Sequence, residues 1–283
     1  MKPVSTVDRG RLRRVSSAQN ALLKEMRRAF HQGELTLDGH AAIESVRVVD
    51  EAIRAGLRFK AVVFRESAGG VIERMLPQIS SHAEAMVVPD KVFEGLVATE
   101  SPQGIAALVK MRAWKIEDVV AGDAPLVVVA AGLQDPGNLG TVLRSAEAFG
   151  ATGVVLAGKT VSAFNPKVIR ASAGSVFRLP QVVMADADAV RELKTRSVRL
   201  LGTSSHKGTA IDEADFTGAV AIFIGNEGVG LSREIANALD VTVAIPHSPK
   251  VESLNAGVAA SLILYEASRQ RRLEPRRHGG TEK

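Results

Sequence analysis

Short apolar runs alternate along this chain with amphipathic stretches of helical period, and the character of the runs changes midway. Between residues 34 and 111 they are brief. Glu34-Leu35-Thr36-Leu37 predicts a strand, Ala41 to Ala55 a helix with Ile43, Val46, Val49 and Ile53 inward, and Ala61-Val62-Val63-Phe64 a second strand. A helix at Val71 to Ile79, a strand at Ala85 to Val88, a short helix at Asp90 to Leu96 and a strand at Ile105 to Val109 complete a small layered α/β unit. Beyond residue 125 the runs are longer and nearly continuous: Leu126 to Ala131, Gly153 to Leu156, Leu179 to Met184, Val198 to Thr203, Ala219 to Ile224 and Val241 to Ile245. Helices are expected at Asn138 to Phe149, Pro166 to Ala173, Ala187 to Lys194, Ser232 to Leu239 and Ser253 to about Arg272. Strands that are apolar on both faces imply a parallel sheet covered by helices on both sides.

Ahead of these units, Ser17 to His31 spaces Ala21, Leu22, Met26 and Phe30 as one helix face, stopping near Gly33. Residues 1–15 read as a frayed arm, because Arg9, Arg11, Arg13 and Arg14 would repel one another on a helix. The expected organisation is therefore a basic arm and helix (1–33), a small domain (34–111), a linker (112–124) holding the single tryptophan, Trp114, a larger domain (125–273) and a basic tail (274–283).

Charge sharpens this picture. The chain carries +5 overall, yet residues 1–30 hold eight Lys/Arg against two Asp/Glu and residues 269–283 hold six against two, which leaves the body acidic. Basic ends on an acidic body suit a polyanion such as RNA, since each neutralised phosphate releases counterions. Cysteine is absent, which excludes disulfides, thiolate zinc sites and a cysteine nucleophile and is compatible with a reducing cytoplasm. No apolar run reaches the ~20 residues of a membrane span, and the first residues lack the apolar core of a secretory signal. The six histidines lack metal-ligand spacing.

Candidate chemistry gathers where strands end. Leu126 to Ala131 runs into Asp135-Pro136-Gly137-Asn138-Leu139-Gly140, Ala221 to Ile224 into Gly225-Asn226-Glu227-Gly228-Val229-Gly230-Leu231, and Val241 to Ile245 into Pro246-His247-Ser248-Pro249 and then Ser253-Leu254-Asn255. Open parallel sheets place their ligands at such carboxyl ends. A dinucleotide fingerprint is missing: Gly132-Leu133-Gln134-Asp135-Pro136-Gly137 is not Gly-x-Gly-x-x-Gly, and the second strand ends Leu156-Ala157-Gly158-Lys159 without an acid for a ribose diol. His247 reads as a surface-loop histidine.

Three segments in this order, Asn138-Leu139-Gly140-Thr141-Val142-Leu143-Arg144, Gly225 to Leu231, and Ile245-Pro246 with Ser253-Leu254-Asn255, resemble the SpoU/TrmH branch of the SPOUT RNA methyltransferases over roughly residues 125–272. The resemblance implies a SPOUT-type α/β parallel sheet with a trefoil knot, a homodimer, and S-adenosyl-L-methionine as cofactor with no metal. It implies catalytic roles for Arg144, Asn138, Glu227, Ser253 and Asn255, with Ser253 contacting the target nucleotide or the arginine and Asn255 orienting the loop by hydrogen bonding. Read from the residues themselves, Glu227 is the natural carboxylate partner of Arg144, and Ser253 is placed to cap the last helix. Thr203, Gly225, Ile245 and Leu254 are the implied cofactor contacts. Residues 34–111 resemble the L30e-like RNA-binding module that many such enzymes carry, with Asp38-Gly39 standing where the family has Glu-Gly. Lys167 and Arg170, on one helix face, and Arg27 and Arg28 are the candidate RNA contacts. After Asn255 the family continues with Val and a small residue, whereas here Ala256-Gly257 follows.

The implied activity is ribose 2′-O-methylation of RNA in the cytoplasm, with 23S ribosomal RNA ahead of transfer RNA as substrate. The rival of another class is an RNA-binding assembly factor without catalysis; the intact Asn138, Arg144, Glu227, Ser253 and Asn255 argue against it.

Overall fold

The computed structural model describes residues 9–273; the expected first part of the basic arm and the basic tail lie outside them. Two compact units form. Among the described residues the first takes 9–112 together with 162–177, the second 113–161 together with 178–273.

In the first unit β1 (Leu12–Arg14), α1 (Ala21–Gln32), β2 (His40–Glu44), α2 (Val46–Arg54), β3 (Arg58–Arg65), α3 (Gly69–Met75), β4 (Glu84–Val88), α4 (Asp90–Glu94) and β5 (Ile105–Lys110) follow one another. They build a five-stranded sheet of order β1-β4-β3-β5-β2, antiparallel only where β5 meets β2 and β3. Its core joins Leu23, Met26 and Phe30 of α1 to Val63, Met86, Phe93 and Leu108. Asn20 caps α1 by accepting from the amides of Leu22 and Leu23, and Gly33 ends it in the left-handed region at φ 64°.

Three local expectations change. Residues 9–15 are not frayed: the arginine repulsion is answered by Arg13 on Glu84, Arg14 on Glu66, and Arg11 donating to the carbonyls of Ile79 and Ser80. Glu34 to Leu37 form no strand, because Thr36 and Gly39 close a turn and Leu37 is fully exposed. Ala41 to Glu44 are strand rather than helix, since this apolar run is buried while pairing with β5. Helix α2 therefore begins only after Ser45, so the pair preceding it is Glu44-Ser45 and not Asp38-Gly39. Ser45 caps α2 from φ 81° and ψ 147°, a conformation that favours glycine.

The second unit opens with α5 (Ile116–Val119) inside the expected linker, then β6 (Leu126–Ala131), α6 (Pro136–Ala148) and β7 (Gly153–Ala157). The chain next enters the first unit with α7 (Pro166–Ala171) and α8 (Ser175–Arg178). It returns for β8 (Gln181–Met184), α9 (Asp186–Thr195), β9 (Arg199–Ser204), β10 (Thr209–Ala210), β11 (Val220–Gly225), α10 (Arg233–Ala238), β12 (Val241–Ala244) and α11 (Ala256–Leu273). The seven strands are all parallel, in the order β10-β12-β9-β11-β6-β7-β8. Val127, Val129, Leu200 and Phe223 are fully buried between the helix layers. At the far end of α11, Arg271 donates to the carbonyls of Phe216 and Ala124, which ties the last helix to the segments leading into β11 and β6.

Among the described residues Glu44 has one charged partner. Only 4 % exposed, it accepts from Arg170 of α7 at 2.7 Å. Burial pushes its carboxyl above the usual carboxylate range, more than Arg170 and the backbone amides of Thr99 and Ala98 pull it down. A raised folded pKa means a stability contribution present at acid pH and lost as pH rises through the folded value. Glu44→Gln, which cannot titrate, is accordingly expected to gain stability relative to the wild type between about pH 4.5 and about pH 8. Urea denaturation at both values checks this, and a flat or falling difference contradicts it.

Candidate active site

The second unit gathers its polar loops at the carboxyl ends of β9, β11 and β12. The loop after β11 is built by Asn226. Its Oδ1 accepts from the amides of Gly228 (2.9 Å) and Val229 (3.2 Å), its Nδ2 donates to the Gly132 carbonyl at 3.0 Å, and its backbone bridges to Gly230. Gly225 enters this loop too closely for any side chain: an added Cβ would lie 2.6 Å from the Gly230 carbonyl carbon and 2.8 Å from the Leu231 nitrogen. The tight hairpin holds Glu227 exposed at its turn.

Helix α6 supplies the next parts. Asp135 caps it, accepting from the Asn138 amide at 2.7 Å, and Pro136 occupies its first turn, where a missing N–H costs nothing. The Asn138 side chain donates through Nδ2 to Glu227 Oε1 and accepts through Oδ1 from Asn255 Nδ2 at 2.8 Å. Asn255 in turn caps α11, accepting from the Val258 amide at 3.2 Å. This cap belongs to Asn255 and not, as expected, to Ser253, which sits exposed ahead of the helix. Gly257 lets α11 approach α6: a Cβ there would meet the Thr141 side chain at 3.0 Å. The two helices are further joined by Ser145 and Ser261 hydroxyls 2.7 Å apart.

A cavity of about 500 Å³ opens among these loops. Thr203, Gly225, Ile245 and Leu254 all line it, as do Glu227 and Ser253. Thr203 donates to the Phe223 carbonyl at 3.0 Å, fixing its side chain between β9 and β11. Apolar walls come from Leu231, which closes the glycine motif, and from Leu239 and Ile263, which the sequence did not single out because each also reads as ordinary core. His247, expected on the surface, is a half-buried wall of the same cavity.

Arg144 stands apart from the expected pairing. It is exposed on α6 and, among the described residues, its guanidinium has no hydrogen bond or ion pair; Glu227 is held by Asn138 instead. In the first unit Arg27 donates to the Gly95 carbonyl at 3.0 Å, Arg28 to Gln32 at 3.3 Å, and Arg170 is engaged by Glu44, while Lys167 is exposed. Among the described residues Glu25, Asp38 and His40 come close enough to share a cation, but the Lys60 ammonium already lies 2.7 Å from Glu25 and 3.5 Å from Asp38.

An all-parallel sheet covered on both faces, with a ligand-sized cavity framed by a carboxylate, an amide relay and a glycine hairpin at its strand ends, defines an α/β ligand-binding enzyme scaffold. The profile of the SpoU rRNA methylase family matches residues 125–265, and that of the MRM3-like substrate binding domain matches residues 23–107. The chain is 30% identical over 254 residues to the Bacillus subtilis 23S rRNA (guanosine(2553)-2′-O)-methyltransferase RlmP, covering 90% of this chain and 98% of that one. It is 33% identical to the 23S rRNA (uridine(2479)-2′-O)-methyltransferase of Streptomyces viridochromogenes, covering 92% of this chain and 93% of that one. The crystal structure of the SpoU methyltransferase AviRb from Streptomyces viridochromogenes with the cofactor AdoMet superimposes with a TM-score of 0.76 at 28% identity, over 90% of this chain and 100% of that one. This protein belongs to the SpoU rRNA methylase family.

Proposed function

We propose that the chain is an S-adenosylmethionine-dependent RNA ribose 2′-O-methyltransferase acting on large-subunit ribosomal RNA. The observation that carries this reading is the convergence of Thr203, Gly225, Ile245 and Leu254 with Glu227 and Ser253 on one cavity. The cavity fits an adenosyl cofactor: it has ligand size, apolar side chains on its walls, and a glycine whose backbone can approach a ligand closely. S-adenosylmethionine brings a methyl group already activated on a sulfonium, so the protein's task is alignment and exclusion of water. Ribosomal RNA is preferred over transfer RNA because the chain spans nearly the full length of relatives named for 23S rRNA.

The amide relay Asn255–Asn138–Glu227 fixes the carboxylate at the cavity rim, and Ser253 lines the same cavity. A guanidinium is no ordinary base near neutrality, so Arg144 is assigned a binding and charge-stabilising role. It binds the phosphate and ribose of the target nucleotide and stabilises the alkoxide that develops as the 2′-oxygen attacks. Lys167, Arg170, Arg27 and Arg28 contribute phosphate contacts through the first unit.

That Arg144 is unpartnered among the described residues also supports a homodimer in which it serves the second subunit's cavity. On α11, Val258, Leu262 and Tyr265 are 48, 41 and 50% exposed, an apolar stripe at helical spacing. Tyr265 packs edge-on against Phe149, just beyond α6, the helix that carries Arg144. Leu262→Asp is expected to give monomers by light scattering with at least ~10-fold less methyl transfer, since charge on an apolar interface is costly; a fully active monomer contradicts the shared site. The family's trefoil knot is supported by α11 packing back on α6 after β12 has paired outside β9. With such a substrate the protein works in the cytoplasm; among the described residues no helix is long and apolar enough to cross a membrane.

Incubation with tritiated methyl donor and either 23S rRNA or transfer RNA tests the substrate. Label in 23S rRNA alone is expected, and label in transfer RNA alone overturns the assignment.

A further inference from the structure

One wall of the cavity carries a polar atom that the relay does not use. His247 lies two residues past Ile245, and its Nδ1 is 2.7 Å from the Ile245 carbonyl oxygen. A carbonyl only accepts, so Nδ1 carries the proton, and in the neutral ring Nε2 is left as a lone-pair acceptor. Nε2 is buried and has no hydrogen-bond partner among the described residues. A buried acceptor without a donor is costly, so such atoms are normally paired. Over this ring lies that of His206, exposed, with centroids 5.0 Å apart and planes 28° from parallel. His206 belongs to the loop that runs from β9 to β10, and the preceding Ser204 and Ser205 also line the cavity.

We propose that His247 is a cofactor-positioning residue whose Nε2 accepts a hydrogen bond from a neutral donor on the adenosyl half of S-adenosylmethionine, the exposed His206 ring turning aside to admit it. The inference rests on the cofactor reading given above. The chemistry of the cofactor narrows the donor. Its carboxylate has no proton to give, its sulfonium has none, and its ammonium is better matched by Glu227 or Glu252, which line the same cavity. What remains is the purine amino group or a ribose hydroxyl, and both are neutral donors suited to a neutral imidazole. Because the Ile245 carbonyl fixes the tautomer, His247 presents its acceptor without rearranging a proton, an example of a preorganised contact.

Calorimetric titration of the full-length protein with S-adenosylhomocysteine tests this, using His247→Phe, which keeps a ring for His206 to stack on, and His247→Gln, whose amide oxygen reaches about as far as Nε2. His247→Phe is expected to weaken binding by about 5- to 10-fold and His247→Gln to recover most of that loss, the effect of one hydrogen bond. Repeating the titration with analogues lacking the 6-amino group, the 2′-hydroxyl or the 3′-hydroxyl identifies the donor: for one analogue the wild type and His247→Phe bind alike. Thermal melting confirms that both variants are folded. Equal affinity of wild type and His247→Phe for the parent ligand overturns the role of His247, as does a Phe-induced loss that is identical for every analogue. A wild type that binds neither S-adenosylmethionine nor S-adenosylhomocysteine overturns the cofactor reading itself, which is a distinct outcome.

Discussion

Arg144→Ala is expected to lower methyl transfer by at least ~100-fold while cofactor affinity stays within about twofold of wild type, the size of effect when a charge-stabilising group is lost from a transition state. The expectation follows from where the side chain is. Arg144 is exposed on α6, does not line the cavity, and has no partner among the described residues that its removal would strand. Folding and cofactor binding therefore have little to lose. The RNA has more to lose, because a guanidinium can grip phosphate bidentately and remain charged while negative charge grows on the ribose oxygen. Lysine keeps the charge without the fork, so Arg144→Lys is expected to recover only part of the activity. Single-turnover kinetics with the donor in excess separates these cases, and a normal rate for Arg144→Ala removes this residue from the chemistry.

The second large effect concerns a residue with no side chain. Gly225→Ala places a methyl group 2.6 Å from the Gly230 carbonyl carbon, and neither that atom nor the Leu231 nitrogen is the movable end of a side chain. The hairpin can yield only by giving up Asn226–Gly230 pairing, with its bonds at 2.9 and 3.2 Å, or the Asn226 contacts to Gly228, Val229 and Gly132. Overpacking of this kind costs ~1–3 kcal/mol. The same movement displaces Glu227 from Asn138 and reshapes a wall of the cavity. Cofactor affinity and methyl transfer are both expected to fall by about 100-fold or more, of which ~1–3 kcal/mol of strain accounts for part and loss of the relay for the rest. Calorimetry and a melting curve read the two losses separately; near-normal binding in a folded Gly225→Ala protein contradicts the tight-hairpin account.

Much of the larger unit was legible in the sequence because its signals are local and redundant. A strand such as Leu126 to Ala131 is apolar on every residue, and the loop chemistry of Asp135-Pro136 or Asn226 to Gly230 admits few backbone paths. What the sequence hid depends on partners far away in the chain. Ala41 to Glu44 carries a helical pattern, and only pairing with β5 makes it a strand. The arginines of β1 look mutually repulsive until Glu84 and Glu66 are brought beside them. Strand β10 is two residues long and has no periodicity to detect. At the site, motif order brought Glu227 and Ser253 to one cavity, but it could not show that Asn138, rather than Arg144, would take the Glu227 carboxylate, nor that a carbonyl two residues away would hold the His247 ring. Side-chain partnership across distant segments is the information a single sequence carries least.

On the function proposed, a sulfonium methyl group is passed to a ribose 2′-oxygen of ribosomal RNA at the cavity bounded by Gly225, Glu227 and Ser253. Digestion of 23S rRNA, after incubation with the protein and isotopically labelled S-adenosylmethionine, followed by mass spectrometry of the nucleosides tests it most directly. The account predicts labelled methyl on the ribose of one nucleotide, with the adjoining phosphodiester resistant to alkali. Label on a base, or none in any RNA offered to a protein that binds the cofactor, contradicts it.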